Sequence, residues 1–217
     1  MKKLFLLCFS FLFFWGCSFF DNNNMKMEKT APQLAEEGSN AFFAQRYKSS
    51  IKAFTDLKDW YPFSKYAILA ELKIADAHFE LKEYDEAIFA YENFELMHPA
   101  NEAVPYVIYK MGLCWFNQLD SKDKSVAPAK NSLALFQRLI EQFPKSEYTK
   151  KAKEKILIAN ATLAANELYI ANFYMRTKKY KAALARYNNI IKTYPGSPES
   201  RQANIKISLC LQLLKNE

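Results

Sequence analysis

Hydrophobic positions between residues 31 and 214 recur with the period of amphipathic helices, and four of these stretches end at a proline. The prolines are Pro62, Pro99, Pro144 and Pro195. A small residue lies twelve positions before each proline, an aromatic residue eight before it and an apolar residue five before it. Steps of four and three residues place these positions on one helix face, so we predict that they pack inwards. They are Ser50, Ala87, Ser132 and Ala183, then Phe54, Tyr91, Phe136 and Tyr187, then Leu57, Phe94, Leu139 and Ile190.

The residues around each proline are typical of one helix that stops and another that starts. Proline cannot continue a helix, because it lacks an amide N–H and its ring clashes with the preceding turn. In three of the copies a serine stands two positions later, and a serine side chain can cap the first turn of a helix. We therefore predict that Ser64, Ser146 and Ser197 cap the helices that follow, with Pro198 in a first helical position that tolerates proline.

The repeated unit resembles the tetratricopeptide repeat, a helix-turn-helix with late small, aromatic and proline positions. The prolines are 37, 45 and 51 residues apart. The 45-residue interval contains a polar insertion near residues 117–131, which we interpret as a loop. The 51-residue interval keeps helical periodicity for about thirty residues, which predicts one long helix. The resemblance implies an all-α solenoid of about five helix pairs, the last one incomplete.

The first 30 residues differ from the repeats. Two lysines precede a nearly unbroken apolar run that ends at Trp15 and is shorter than the about 20 residues that span a bilayer. Residues 1–16 are therefore interpreted as a secretory signal peptide. The sequence Gly-Cys-Ser at residues 16–18 resembles a bacterial lipoprotein processing site. This resemblance implies a lipid on Cys17 that anchors the chain in the membrane. An ordinary signal peptide is the alternative. Residues 17–30 are predicted to be a flexible tether.

Composition argues against several kinds of chemistry. The chain has only four glycines, and no two of them are close enough to form a glycine-rich motif. This spacing excludes dinucleotide-binding, P-loop and nucleophile-elbow motifs. His78 and His98 lack metal-ligand spacing, and no nucleophile–base set is visible, so we expect no enzyme, metal or cofactor. Without the signal peptide, 28 Lys and Arg face 23 Asp and Glu, and in a secreted protein this net +5 does not predict a nucleic-acid partner. Cys114 and Cys210 are predicted to be buried free thiols.

Four segments carry a more specific resemblance. They are, in chain order, "WYPFSKYA", "HPANEAVPYVIYKMGL", "LIEQFPKSEYT" and "LAANELYIANFYMRTKKYKAALARYNNIIKTYPGSPES". With the lipoprotein cysteine they resemble the BamD family, lipoprotein subunits of the machine that inserts β-barrels into the outer membrane. The resemblance implies a non-enzymatic protein, lipid-anchored in the outer membrane and facing the periplasm. The alternative is another periplasmic repeat lipoprotein, such as a pilus-secretin pilot or an envelope-constriction factor.

The resemblance also implies two binding surfaces. The N-terminal repeats, residues 31–144, would receive the C-terminal strand of an unfolded outer-membrane protein, which typically ends in an aromatic residue. The C-terminal repeats, residues 145–217, would dock on the periplasmic domains of the barrel-forming central subunit. Arg186 matches a family arginine at that second contact, and a surface residue on a solvated helix face is the alternative. Accessory lipoproteins are further expected partners.

Helical periodicity predicts where the substrate surface lies. In the first helices of the first two repeats, it places an apolar set with one carboxylate on the concave face. Such a pocket is chemically suited to a strand that ends in an aromatic residue. Packing within the solenoid is the alternative for each aromatic. The predicted substrate-binding residues are Phe42, Phe43, Leu72, Asp76 and Phe79.

Overall fold

The structure, a computed structural model, describes residues 29–119 and 125–215, and all the regular structure of these residues is α-helical. The helices of this part are α1 (Ala31–Phe43), α2 (Tyr47–Trp60), α3 (Ala67–Glu80), α4 (Tyr84–Met97), α5 (Val104–Phe116), α6 (Ala127–Gln142), α7 (Glu147–Arg176), α8 (Tyr180–Thr193) and α9 (Pro198–Lys215). Each helix packs against the next one in the chain, and α7 also packs against α5 and α9. The described helices thus form four pairs and a closing helix, with first helices side by side, which confirms the predicted solenoid.

The predicted packing positions of the second helices are all buried. The four small residues and the four aromatic residues twelve and eight positions before the prolines are 0 % exposed, and the four apolar residues five before them are 0–1 % exposed. Two aromatics press directly on the first helix of their pair. A Cβ added at Gly38 would lie 2.8 Å from the Phe54 ring, and one added at Gly112 would overlap the Phe136 ring. The two helices approach so closely because these first-helix positions carry no side chain.

Three turns inside the helix pairs share one backbone conformation. Gln45, Lys82 and Lys178 have φ angles of 57°, 61° and 58°, and each stands two residues after the first helix of its pair. A residue in the left-handed region ends a helix and lets the chain reverse. The same local geometry at the same position shows that these pairs are structural repeats.

The helix starts confirm two of the three predicted serine caps. The Ser146 hydroxyl accepts a hydrogen bond from the backbone N–H of Tyr148, and the Ser197 hydroxyl accepts one from Ser200. The prediction for Ser64 is wrong. Helix α3 begins at Ala67, and the Ser64 hydroxyl is buried without a hydrogen-bond partner.

The insertion and the long helix are only partly as predicted. Helix α6 already begins at Ala127, so residues 127–131 are helical rather than loop, because proline is accommodated in the first turn. The long helix is confirmed as α7, with 30 residues. Its first half adds Ala152 to the core of the second and third pairs, and its second half adds Leu168 to the last core. Helix α7 therefore joins two separate hydrophobic clusters.

The signal peptide, Cys17 and nearly all of the tether lie outside the described residues. Lys29 is the first residue that the structure describes, and its backbone carbonyl accepts a hydrogen bond from the Tyr61 hydroxyl at 3.0 Å. The chain thus enters the solenoid beside the end of α2. Within residues 29–119 and 125–215, no helix combines the length and hydropathy needed to cross a membrane.

Candidate functional site

Aromatic and lysine side chains form a continuous strip across the first helices of the first three pairs. On α1, Phe42 and Phe43 meet edge to face at 6.4 Å between ring centres, and Phe43 is 83 % exposed. The ammonium group of Lys73 on α3 lies 4.9 Å from the centre of the Phe42 ring. The ammonium group of Lys110 on α5 lies 3.2 Å from the centre of the Phe79 ring on α3. The aromatic–lysine strip consists of Phe42, Phe43, Lys73, Phe79, Tyr106 and Lys110.

Asp76 lies beneath this strip and joins three helices. Its Oδ1 accepts hydrogen bonds from the hydroxyls of Tyr91 on α4 at 2.7 Å and Tyr106 on α5 at 2.6 Å. Its Oδ2 accepts a hydrogen bond from Lys73 at 2.9 Å. Asp76 is only 4 % exposed. Because groups of this chain occupy both oxygens, the carboxylate holds the strip together. It does not line an open pocket, which differs from the expectation drawn from the sequence.

Burial sets the protonation of the groups around Asp76. Desolvation, reinforced by the Asp76 charge, raises the pKa of Tyr91 and Tyr106, so both hydroxyls keep their protons and donate. Desolvation lowers the pKa of Lys110, while the carboxylates of Asp76 and Glu80 act in the opposite direction. The Glu80 carboxylate lies 3.7 Å from the Lys110 ammonium. The strip therefore combines aromatic surfaces with two ammonium groups that are partly shielded from solvent. Asp76 faces the ammonium group of Lys73, and Glu80 faces that of Lys110.

Leu72 and Phe79 contribute less free surface than Phe43. Both are half-buried and pack against the central hydrophobic cluster, and the Phe79 ring also meets Tyr84 edge to face at 5.9 Å. Phe42 is half-buried between Phe43 and Tyr47. Of the predicted substrate residues, the structure thus brings Phe42, Phe43 and Phe79 into the strip, with Leu72 packed on the core beside them.

Further aromatic residues extend the surface towards α7. Tyr148, at the start of α7, stacks on Tyr109 at 5.5 Å and meets Tyr106 edge to face at 5.5 Å. The ammonium group of Lys151 lies 5.0 Å from the Tyr148 ring. The alternation of aromatic rings and lysines therefore continues from α1 to α7, along the layer of first helices.

Arg186 is held by a carboxylate of its own chain. Its Nη1 donates to both carboxylate oxygens of Glu167 on α7, at 3.1 and 2.9 Å. The side chain of Arg186 is 42 % exposed, and that of Glu167 is 21 % exposed. The arginine therefore leaves the core next to the buried Tyr187 and keeps part of its guanidinium in solvent.

The two histidines and the two buried cysteines take structural roles. His78 pairs with Glu83 and His98 with Glu71, at 2.8 and 2.7 Å. Cys114 and Cys210 are buried, as predicted, and the Cys210 thiol donates a hydrogen bond to the backbone carbonyl of Tyr180 at 3.0 Å. Burial raises the pKa of Cys114 to about 12, which keeps this thiol protonated and unreactive. Within the described ranges, no three His, Cys, Asp or Glu side chains are arranged to hold a metal ion.

Sequence reasoning missed the two lysines of the strip. Lys73 and Lys110 each stand in an apolar stretch of a first helix, in "AELKIADA" and "YVIYKMGL". A lysine among inward-facing apolar residues needs a carboxylate or an aromatic face near it. Asp76, in the same kind of stretch, was the visible signal that such partners exist.

A family model described as YfiO, an outer membrane lipoprotein, matches residues 27–213. The outer membrane protein assembly factor BamD of Vibrio cholerae is 26 % identical over 208 residues, which cover 91 % of this chain and 85 % of that protein. The BamD protein of Caulobacter vibrioides is 23 % identical over 180 residues, and the chain spans 59 % of its length. Among solved structures, the TPR2AB domain of yeast Sti1 is 15 % identical to this chain, with a TM-score of 0.49. The match covers 85 % of this chain and 70 % of the Sti1 chain.

The family match extends from two residues before Lys29 almost to the end of α9, so it includes all but the last two described residues of the solenoid. It contains the aromatic–lysine strip on the first three pairs and the Arg186–Glu167 pair on the fourth. The resemblance noted in the sequence is confirmed over this range. The chain belongs to the YfiO family of outer membrane lipoproteins, together with the BamD assembly factors.

Proposed function

We propose that the protein is a non-enzymatic scaffold and substrate-binding subunit of the machinery that assembles β-barrel proteins in the bacterial outer membrane. The observation that carries this proposal is the aromatic–lysine strip, which lies across the first helices of a solenoid belonging to this family. Repeat solenoids use such extended faces to bind polypeptides. The protein acts by holding a substrate and a partner subunit at the same time, without chemistry of its own.

The substrate in this proposal is the C-terminal strand of an unfolded outer-membrane protein, which ends in an aromatic residue. Phe43 offers an exposed ring, and Phe42 supports it from the side. Lys73 lies further along the strip with its side chain 34 % exposed, so its ammonium group, which also donates to Asp76, can attract the terminal carboxylate. Lys110 is buried, so it adds positive potential from within the fold and does not contact the strand directly. Aromatic contacts supply affinity, and Lys73 orients the end of the strand.

Replacing Phe43 with alanine should weaken the binding of a peptide that ends in an aromatic barrel strand by about 10-fold, or roughly 1.4 kcal/mol, as for a central aromatic contact. The fold should survive, because the ring is 83 % exposed. Fluorescence anisotropy of the labelled peptide measures the affinity, and circular dichroism measures the helix content.

Phe63 provides the matched control for this experiment. It is a fully exposed phenylalanine in the turn between α2 and α3, away from the strip, so Phe63→Ala should bind the peptide like the wild type. Equal affinities of wild type, Phe43→Ala and Phe63→Ala, with intact helices, would place the substrate elsewhere. Phe79→Ala is less informative, since that ring also packs against the core.

The docking partner in this proposal is the barrel-forming central subunit, bound through its periplasmic domains by the C-terminal repeats. Arg186 is the proposed contact, because its guanidinium is partly exposed and retains donors that Glu167 does not use. Accessory lipoproteins are further proposed partners. The lipid on Cys17 is proposed to anchor the complex in the outer membrane, facing the periplasm.

Changing Arg186 to glutamate should abolish co-purification with the central subunit, while Arg186→Lys should weaken it only in part. Losing one partner of an interfacial charge pair costs about 2–5 kcal/mol, and lysine keeps the charge but not the planar fork. The measurement is the amount of central subunit that is retained on the tagged chain in detergent.

The internal pair with Glu167 requires its own control. Arg186→Glu also places two carboxylates side by side within the chain. The double variant Glu167→Arg, Arg186→Glu restores an internal ion pair of reversed direction, so it should recover stability without recovering co-purification. If the double variant pulls down the central subunit as well as the wild type does, Arg186 serves the packing of α7 and α8 and not docking.

A further inference from the structure

The outward face of α7 is apolar over most of its length. Between Ile156 and Met175 the helix carries a single charged residue, Glu167. Ile158, Tyr169 and Phe173 are 50 %, 66 % and 47 % exposed. The solvent face of a surface helix is normally polar, and an exposed apolar patch marks an interaction site. The α7 stripe is defined as Ile158, Ala161, Ala165, Tyr169 and Phe173, all exposed.

The five residues lie on one side of the helix. Their spacing is three, four, four and four residues, which keeps them on a single face over about 22 Å of helix axis. Two alanines, Ala161 and Ala165, leave a shallow depression between the bulky Ile158 and Tyr169. Small residues in such a position let another backbone come close, so the stripe can accommodate an elongated segment.

A cleft adjoins the stripe on the side of α9. Its volume is about 370 Å³, and it lies between α7 and the turn from α8 to α9. Ala161 belongs both to the stripe and to the wall of the cleft. The volume is in the range of small-molecule pockets, about 300–1,000 Å³, so the cleft can take a bulky side chain from a segment that lies on the stripe. The other lining residues are Leu157, Asn160, Thr193, Tyr194, Pro195, Gly196, Ser197 and Pro198.

Charge indicates which kind of segment fits. Residues 145–217 contain 14 Lys and Arg against 5 Asp and Glu, a net charge of +9, whereas residues 31–144 contain 12 against 16, a net charge of −4. Two of the cations lie on the face of the stripe at its ends. Lys151 is five turns before Tyr169, and Arg176 is two turns after it. An acidic segment would be attracted to this half of the solenoid and a basic one repelled.

We propose that the α7 stripe and its cleft bind an amphipathic helix of a partner protein, with acidic flanks and an apolar seam that places one bulky side chain in the cleft. A symmetric pair of two such stripes fits less well, since it would bring together two halves that each carry a net charge of +9. A bilayer also fits less well, since a flat surface leaves the cleft unfilled. This inference rests on the proposed docking role of the C-terminal repeats and adds a second, separate contact to it.

The test is a photo-crosslink from the stripe in the full-length chain in its own membranes. A benzophenone amino acid replaces Tyr169, and the crosslinked segment is sequenced by mass spectrometry. The expected product is one segment of a partner protein that has helical apolar periodicity and a net negative charge. A crosslink to a second copy of the chain, to lipid, to a neutral or basic segment, or to nothing would overturn the proposal.

Two matched substitutions complete the experiment. Ala165→Glu puts a carboxylate in the middle of the stripe and should lower the crosslink yield at least 10-fold. Ala185→Glu makes the same change at an exposed position of α8, with the same net charge, and should leave the yield unchanged. Equal yields from the two variants would also overturn the proposal.

The outcome can be separated from the Arg186 experiment. Glu167, which holds Arg186, is two residues from both Ala165 and Tyr169, and therefore points about 200° away from the stripe. If Ala165→Glu leaves the crosslink intact while Arg186→Glu abolishes co-purification, the stripe has no docking role and the proposed function stands. If Arg186→Glu has no effect while the stripe crosslinks as expected, the Arg186 contact fails alone.

Discussion

Replacing Asp76 with alanine should lower the free energy of unfolding by about 3–5 kcal/mol, the cost of removing one partner from a buried ionic network. The substitution leaves the hydroxyls of Tyr91 and Tyr106 without their shared acceptor. It also removes the carboxylate that faces Lys73 and favours the charged form of Lys110. Because these groups come from α3, α4 and α5, the loss should loosen the centre of the solenoid. Urea denaturation followed by circular dichroism measures it.

Two milder variants test whether the network, and not the loss of volume, is responsible. Asp76→Asn keeps the shape and one acceptor but removes the charge, so its effect should lie between wild type and alanine. Tyr91→Phe removes one neutral donor and should cost about 1 kcal/mol. If Asp76→Ala is as stable as the wild type within about 0.5 kcal/mol, a typical surface effect, the network does not hold these helices together.

Replacing Cys17 with alanine should move the protein from the membrane fraction into the soluble fraction. Each buried methylene of an acyl chain contributes about 0.8 kcal/mol, so a multiply acylated cysteine anchors firmly where a single chain does not. Fractionation of cells after a high-salt wash measures the shift, since the wash removes protein held by charge alone.

Cys8 is the matched control for the anchor. It belongs to the predicted signal peptide, so Cys8→Ala should leave the protein in the outer membrane. If Cys17→Ala remains in the washed membranes as the wild type does, the lipid on Cys17 is not what holds the protein there.

The helix periodicity predicted most of the fold because packing in a solenoid depends on short-range spacing. The small, aromatic and apolar positions of the second helices repeat within twelve residues of each proline, and all of them are buried. The start of α3 was predicted less well. Ser64 has the sequence signature of a cap, but the turn after Pro62 continues to Tyr66 before the helix begins. A serine two residues after a proline fits either geometry.

The candidate site was less predictable because its contacts join distant parts of the chain. Asp76 was predicted to lie on the concave face and bind substrate, but its Oδ1 accepts hydrogen bonds from the hydroxyls of Tyr91 and Tyr106, which are 15 and 30 residues further along the chain. Whether these hydroxyls come within hydrogen-bonding distance of Asp76 depends on the angle between neighbouring helix pairs, which the sequence periodicity does not determine. Arg186 lies one residue before the buried Tyr187, so helical periodicity places its side chain outside the core, but its pairing with Glu167 depends on where the unusually long α7 passes α8.

Membership of the family implies that this chain is a working subunit of the outer-membrane barrel-assembly machinery. The most direct test is affinity purification of the tagged, full-length protein from detergent-solubilised membranes, with the co-purifying proteins identified by mass spectrometry. We expect a stoichiometric barrel-forming subunit with periplasmic domains, retained by the wild type and lost with Arg186→Glu. Recovery of a pilus secretin or of cell-division proteins in its place would show that the chain serves another machine.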